Sequence, residues 1–150
     1  MSAKDLLNTM RQRTSIKKYE RRAIEREKMG KVLEAARWAP SAGNMQSWEF
    51  IVVDDDDLLD KLSQFSYNQT HLRDAPAAIV ILGDTEKARA KYEDRGVDLY
   101  MIQETAACME NMMLMAEELG LGSSWVGAFD EENVKDLLDV PAELRPMAIV

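Results

Sequence analysis

Ala35-Ala36-Arg37-Trp38-Ala39-Pro40-Ser41-Ala42-Gly43-Asn44-Met45-Gln46-Ser47-Trp48 is the stretch on which the fold turns. Just upstream, Met29, Val32, Leu33 and Ala36 recur at the i, i+3, i+4, i+7 spacing of a one-sided helix, which predicts a helix over Arg26–Arg37. Pro40 stops it, because its ring removes a backbone donor and crowds the preceding turn. Pro40 to Gln46 is then a loop of residues that tolerate turns and offer side-chain hydrogen bonds. From Trp48 to Val53 aromatic and β-branched residues dominate, and a strand is expected.

Working outward, Ser2 and Asp5 have capping-box spacing, and Leu6, Leu7 and Met10 supply a helical stripe ending near Gln12. Beyond the strand, the acidic run Asp54 to Asp57 suits the positive N-terminus of a helix through Leu58, Leu59 and Leu62, so these acids read as caps rather than metal ligands. Ala77 to Leu82 shows no alternation and predicts an interior strand covered on both faces, ended by Gly83. A long helix is expected from about Val97 to Leu119, apolar nearly all round in its second half and rich in methionine, a residue that suits cores and subunit interfaces alike. Gly120 reads as its C-cap, not as part of a phosphate loop. Trp125 to Gly127 is a short extended piece, Asp130 caps a helix reaching Leu138, and Pro146 to Val150 begins a last strand. Helices and strands mix without a βαβ rhythm, so the class is α+β, with residues 1–150 as one domain and no internal repeat.

Composition narrows the function. With 46% apolar and 31% charged residues in 150, the chain has enough material for one core. The longest apolar stretch, Ala75 to Leu82, contains Pro76 and is far shorter than the roughly 20 residues that cross a bilayer. The N-terminus lacks an apolar signal region, so the expected location is cytoplasmic, with no membrane partner. A net charge of −8 opposes nucleic-acid binding. Arg11, Arg13, Lys17, Lys18, Arg21 and Arg22 nevertheless crowd one segment, either as a solvated helix end or as a site for a small anion. Cys108, the only cysteine, sits in an apolar helical run and reads as a small hydrophobe. With a single histidine, no cysteine pair and no HExxH or nucleophile-elbow spacing, zinc and triad chemistry lack their parts, and no metal ligand is expected.

Three segments taken together resemble the FMN-dependent nitroreductase family over essentially the whole chain. Arg13-Thr14-Ser15-Ile16-Lys17-Lys18-Tyr19 is similar to that family's Arg-x-Ser-x-Arg/Lys-x-aromatic signature. The resemblance implies that Arg13 and Ser15, with Thr14 between them, hold the flavin phosphate and ribityl chain while Lys17 reaches the flavin pyrimidine near N1 and O2. The second and most specific match is the opening stretch itself, which resembles Ala-x-x-Ala-Pro-Ser-x-x-Asn-x-Gln-x-Trp. It implies that Pro40, Ser41, Ala42, Asn44 and Gln46 contact an FMN held mainly by the other subunit of a homodimer. The third, Gly120 to Phe129, looks like Gly-Leu-Gly-x-x-Trp-x-Gly and implies backbone N–H groups near Val126, Gly127 and Ala128 beside flavin N5 and O4. Asn68 and His71 fall where the family places an amide and often a base near the pyrimidine.

The implied fold is a central mixed, mainly antiparallel sheet flanked by helices in an intertwined homodimer. The implied activity is a ping-pong transfer from NADH or NADPH through FMN to a small acceptor such as a nitroaromatic or quinone, and no side chain is assigned as a catalytic acid or base. The family normally continues past the strand beginning at Met147, with a further basic residue and a partner-embracing arm; this sequence ends at Val150, so the arm is expected to be absent or trimmed. Two alternatives accompany this reading: other flavin chemistry, such as dehalogenation or flavin destruction, and a binding or structural dimer without cofactor.

Overall fold

The unalternating apolar run occupies the place its pattern requires. In the computed structural model, which describes residues 3–150 and side chains from Asp5 onward, Trp48–Val53 forms β1, Ala78–Asp84 forms β2 and Leu144–Ile149 forms β3. They make an antiparallel sheet in the order β1-β2-β3. Its middle strand is buried on both faces, and strand periodicity divides its side chains between two cores. Ile79 and Ile81 join Trp48, Val32, Ala36, Met109 and Met112 on one side, while Ala78, Val80 and Leu82 join Leu59, Leu62, Leu72 and Val134 on the other. Each fully buried Val, Leu, Ile or Met side chain among them contributes about 1.5–3 kcal/mol.

Gly83, expected to end the strand, instead lies within it, paired with Trp48 and Arg145. A Cβ at Gly83 would stand 2.6 Å from the Met101 sulfur, so this glycine serves close packing rather than termination. β3 likewise begins two residues before the predicted Pro146.

Among the described residues seven α-helices flank the sheet: α1 (Ala3–Gln12), α2 (Arg26–Arg37), α3 (Asp56–Phe65), α4 (Thr70–Asp74), α5 (Thr85–Arg95), α6 (Met101–Glu118) and α7 (Glu131–Leu137). The expected cap at Ser2 lies outside the described residues. Asp55 and Asp130 cap as expected, each accepting a 3.0 Å bond from the backbone N–H three residues on, and both satisfy a donor the helix cannot. The sequence reading missed α4 and α5. The first is too short to show a period, and the second has only Ala88, Ala90 and Tyr92 as apolar residues, so no stripe marks it. Its start was readable, because Asp84 accepts from the Lys87 N–H at 2.8 Å. α5 breaks at Glu93 (φ 51°, ψ −141°), and a π-helical turn over Gly96–Tyr100 then feeds α6. Helical winding therefore starts at Gly96, although the α-helix proper begins at Met101 rather than near Val97.

α6 is the spine of the molecule. Met101, Cys108, Met109 and Met112 are all but sealed from solvent. Its end is a Schellman turn: Leu121 N–H reaches Ala116 O at 2.8 Å and Gly120 N–H reaches Glu117 O at 3.0 Å, with Gly120 left-handed at φ 72°. Burial, and secondarily the charge of Glu104, pushes the Cys108 thiol up to about 12, so it packs and does not react.

Candidate functional site

After α1 the chain runs without regular structure from Arg13 to Glu25, a strap carrying most of the clustered cations. Ser15 forms a parallel bridge with Ser123, and Ile16 N–H donates to Ser123 O at 2.9 Å. Gly122 permits this approach, since a Cβ there would meet the Ile16 side chain at 2.8 Å. The first and third sequence segments are thereby brought together. From the strap, Lys17 Nζ donates to Ser124 Oγ at 2.8 Å and lies 3.2 Å from His71 Nε2. An ammonium has no lone pair to offer, so Nε2 is the acceptor and the imidazole is neutral with its proton on Nδ1.

α4 presents His71 after two left-handed residues, Tyr67 (φ 55°) and Asn68 (φ 58°), and Gln69 Nε2 ties that turn to Ala128 O at 3.0 Å. Burial first, and then the Lys17 charge, lowers the His71 pKa from its ordinary value. A histidine with a depressed folded pKa contributes full stability above its unfolded pKa of about 6.5 and loses it as the pH falls through that value toward the folded one. Between pH 7.5 and 5 the urea midpoint of the wild type is therefore expected to fall further than that of His71→Gln; parallel profiles would contradict a neutral buried imidazole.

The remaining residues of this corner face outward. Thr14, Ser15, Lys17 and Asn68 are exposed, and Arg13 is partly exposed, with only a loose 3.8 Å approach to Glu110. Val126 departs from the sequence expectation: it is buried, and its N–H donates to Ile149 O at 2.8 Å. Next to it, the backbone N–H groups of Gly127 and Ala128 are exposed and have no protein acceptor among the described residues.

The loop after α2 is built differently. A 3₁₀ turn spans Ala42–Asn44, with Gly43, Asn44 and Gln46 left-handed at φ 54°, 55° and 52°. For the two non-glycine residues this conformation costs about 1–3 kcal/mol each and persists only where surroundings enforce it. The enforcement is visible. Gln46 N–H donates to Ser41 Oγ at 3.0 Å, Lys91 Nζ to Gly43 O at 2.6 Å and Lys87 Nζ to Gln46 O at 3.1 Å. Beneath the loop Glu104, 3% exposed, accepts from Ala42 N–H at 3.2 Å, Ser47 N–H at 2.8 Å and the Ser47 hydroxyl. The sequence reading missed Glu104, although it is the only charged side chain between Tyr100 and Met109, in a mostly apolar run. Pro40, Asn44 and Gln46 are exposed, Ser41 and Ala42 half-buried.

Arg13, Ser15 and Lys17 thus meet Asn68, His71 and residues 123–128, whereas Pro40–Gln46 is anchored on α5 and α6. A cavity of about 480 Å³ lies beneath the strap and touches His71 and Ser124; another of about 320 Å³ lies between Pro40–Ala42 and Tyr100, Gln103 and Glu104. Cations, free backbone N–H groups and an amide, set in a protein of net charge −8, form a donor set suited to a small anionic group.

The chain is similar to known proteins along most of its length. A profile described as the nitroreductase family matches residues 10–70 and 66–150. An Archaeoglobus fulgidus protein provisionally named a NADH dehydrogenase/NAD(P)H nitroreductase is 38% identical over 143 residues, covering 92% of this chain and 78% of its own. The crystal structure of a nitroreductase family protein from Clostridium novyi matches with a TM-score of 0.87 at 31% identity, over 96% of this chain and 81% of that one. An FMN-dependent nitroreductase from Clostridium difficile gives a TM-score of 0.83 at 33% identity, over 95% and 83% of the two chains.

Proposed function

The chain belongs to the nitroreductase family of NAD(P)H-dependent oxidoreductases, and from that premise we propose that two copies bind FMN between them and pass electrons from NADH or NADPH to a small acceptor such as a nitroaromatic or quinone. The observation that carries this reading is the corner where Lys17 meets His71 and Ser124 beside partly exposed Arg13 and exposed Ser15. Arg13 and Ser15 hold the phosphate, a task suited to a planar cation beside a hydroxyl. Lys17 holds negative charge at the pyrimidine edge, and the Gly127 and Ala128 N–H groups face the ring. Bound FMN supplies the two-electron chemistry, accepting a hydride and releasing the electrons to the second substrate.

The exposed left-handed loop supports a shared site, because Asn44 and Gln46 are held in a costly conformation with their side chains in solvent. Exposed Leu6, Leu7 and Met10 on α1 and Ile102 on α6 support burial against a second copy. The whole chain acts as one FMN-binding domain in the cytoplasm, without nucleic acid. Among the described residues no helix is long and apolar enough to cross a membrane.

Purified protein mixed with FMN is expected to retain absorbance near about 450 nm that bleaches anaerobically with NADH or NADPH. FMN at 100 times its dissociation constant adds about 2.7 kcal/mol, a rise in Tm of roughly 5–10 °C for a domain this size. Retained colour that neither donor bleaches would leave the fold but remove the reaction; a melting curve indifferent to FMN would favour a dimer without cofactor.

A further inference from the structure

We propose that His71 takes up a proton from solvent each time the site is reduced, so that one chain supplies two cations, Lys17 and imidazolium, to the electron-rich cofactor and only one to its oxidised form. The proposal rests on the FMN reading above. At present Nε2 is the acceptor of a 3.2 Å bond from Lys17, and a proton cannot be added there while that ammonium points at it. Protonation at Nε2 forms an N–H bond, breaks the Lys17 bond and leaves two like charges in contact, an arrangement that becomes favourable when a negative charge is set between them. Hydride transfer provides it: two electrons and one proton enter, and one net negative charge remains at the pyrimidine edge. The lone pair of Nε2 binds the second proton, Lys17 keeps Ser124 Oγ at 2.8 Å, and the proton leaves when the electrons pass to the acceptor.

The surroundings suit this role. His71 is only 9% exposed, yet it lines the 480 Å³ cavity, which gives water a path to the ring. Facing it across that cavity are Lys18, Tyr19, Glu20, Arg22 and Glu25. Of these, the strap carboxylate Glu20 has no described ion pair, while Glu25 is 3.3 Å from Lys28. On its own helix, Arg73 and Asp74 pair at 3.2 Å, and Arg21 approaches Asp74 at 3.7 Å. Apart from Glu20, the carboxylates nearby have cations of their own, and the tightest charged neighbour of the imidazole is Lys17.

Because His71 is the only histidine, its ring nitrogens can be followed without ambiguity in full-length protein by ¹⁵N NMR. At pH 7 the apo protein and the protein with oxidised FMN are expected to show a neutral imidazole protonated on Nδ1. After anaerobic reduction with dithionite both nitrogens should carry protons. A neutral ring in the reduced, FMN-bound protein overturns the proposal alone, and absence of FMN uptake in the visible spectrum overturns it together with the reading beneath it. His71→Gln keeps an acceptor for Lys17 but cannot be protonated. Proton uptake, read from the pH slope of the midpoint potential of bound FMN, should fall from two protons per two electrons to one in this variant, and an unchanged slope contradicts the assignment.

Discussion

Glu104→Ala is expected to lower the stability of the apoprotein by about 3–5 kcal/mol, read as a fall in urea midpoint at constant m-value. The carboxylate is buried and accepts three hydrogen bonds from the loop, two of them from backbone N–H groups of Ala42 and Ser47. Each buried donor stripped of its acceptor costs about 1–3 kcal/mol. A second loss follows from the loop's shape: with Ala42 and Ser47 released from α6, Asn44 and Gln46 are held left-handed only by the bonds to Ser41, Lys87 and Lys91, and they relax more readily toward ordinary backbone. FMN affinity should therefore fall in Glu104→Ala beyond what lower stability explains, measured under conditions where the variant is still folded. Glu104→Gln keeps one acceptor oxygen and is expected to lose less than half as much. An Ala variant within 1 kcal/mol of wild type would show that the loop stands without its staple.

The converse behaviour is expected when Arg13 and Ser15 are both replaced by alanine. Arg13 is partly exposed, its approach to Glu110 is 3.8 Å, and Ser15 joins Ser123 through backbone that alanine preserves. Apo stability should change by less than about 1 kcal/mol. A charge-assisted bond to phosphate is worth about 1.5–3 kcal/mol, and at 1.4 kcal/mol per tenfold the pair should weaken FMN binding by roughly 100- to 1000-fold, allowing for incomplete additivity. Titration by flavin fluorescence beside a melt of the apoprotein separates the two quantities. Undiminished affinity with both groups gone would mean that the phosphate is held elsewhere.

Much of this architecture was legible because it rests on local chemistry. The bounds of α2 and β1 follow from a helical period, a proline and a β-branched run, and the interior position of β2 follows from its missing alternation. Asp55 and Asp130 were readable as caps because the rule operates over three residues. What escaped depended on distant partners. Gly83 resembles a strand terminator until Met101 is known to lie on it, and nothing in α5 announces that Lys87 and Lys91 will clasp a loop more than forty residues earlier. At the site, the crowding of the strap's cations fitted a solvated helix end as well as an anion site, so that the family resemblance singled out Arg13 and Lys17; the pairing of Lys17 with His71 was hidden because it joins positions 54 apart. The engagement of the Val126 N–H by Ile149 was hidden for the same reason, since only the folded sheet supplies that partner.

The sulfur-rich spine sets a chemical limit on the molecule's lifetime. Met101, Met109 and Met112 are almost completely enclosed, so an oxidant reaches them only during excursions in which α6 parts from the sheet. A sulfoxide formed in such a moment carries a polar oxygen back into a space lined by aliphatic side chains, where few donors can receive it. The damage would be retained, since the altered residue disfavours the closed state that had shielded it, and each oxidised thioether makes exposure of the next more frequent.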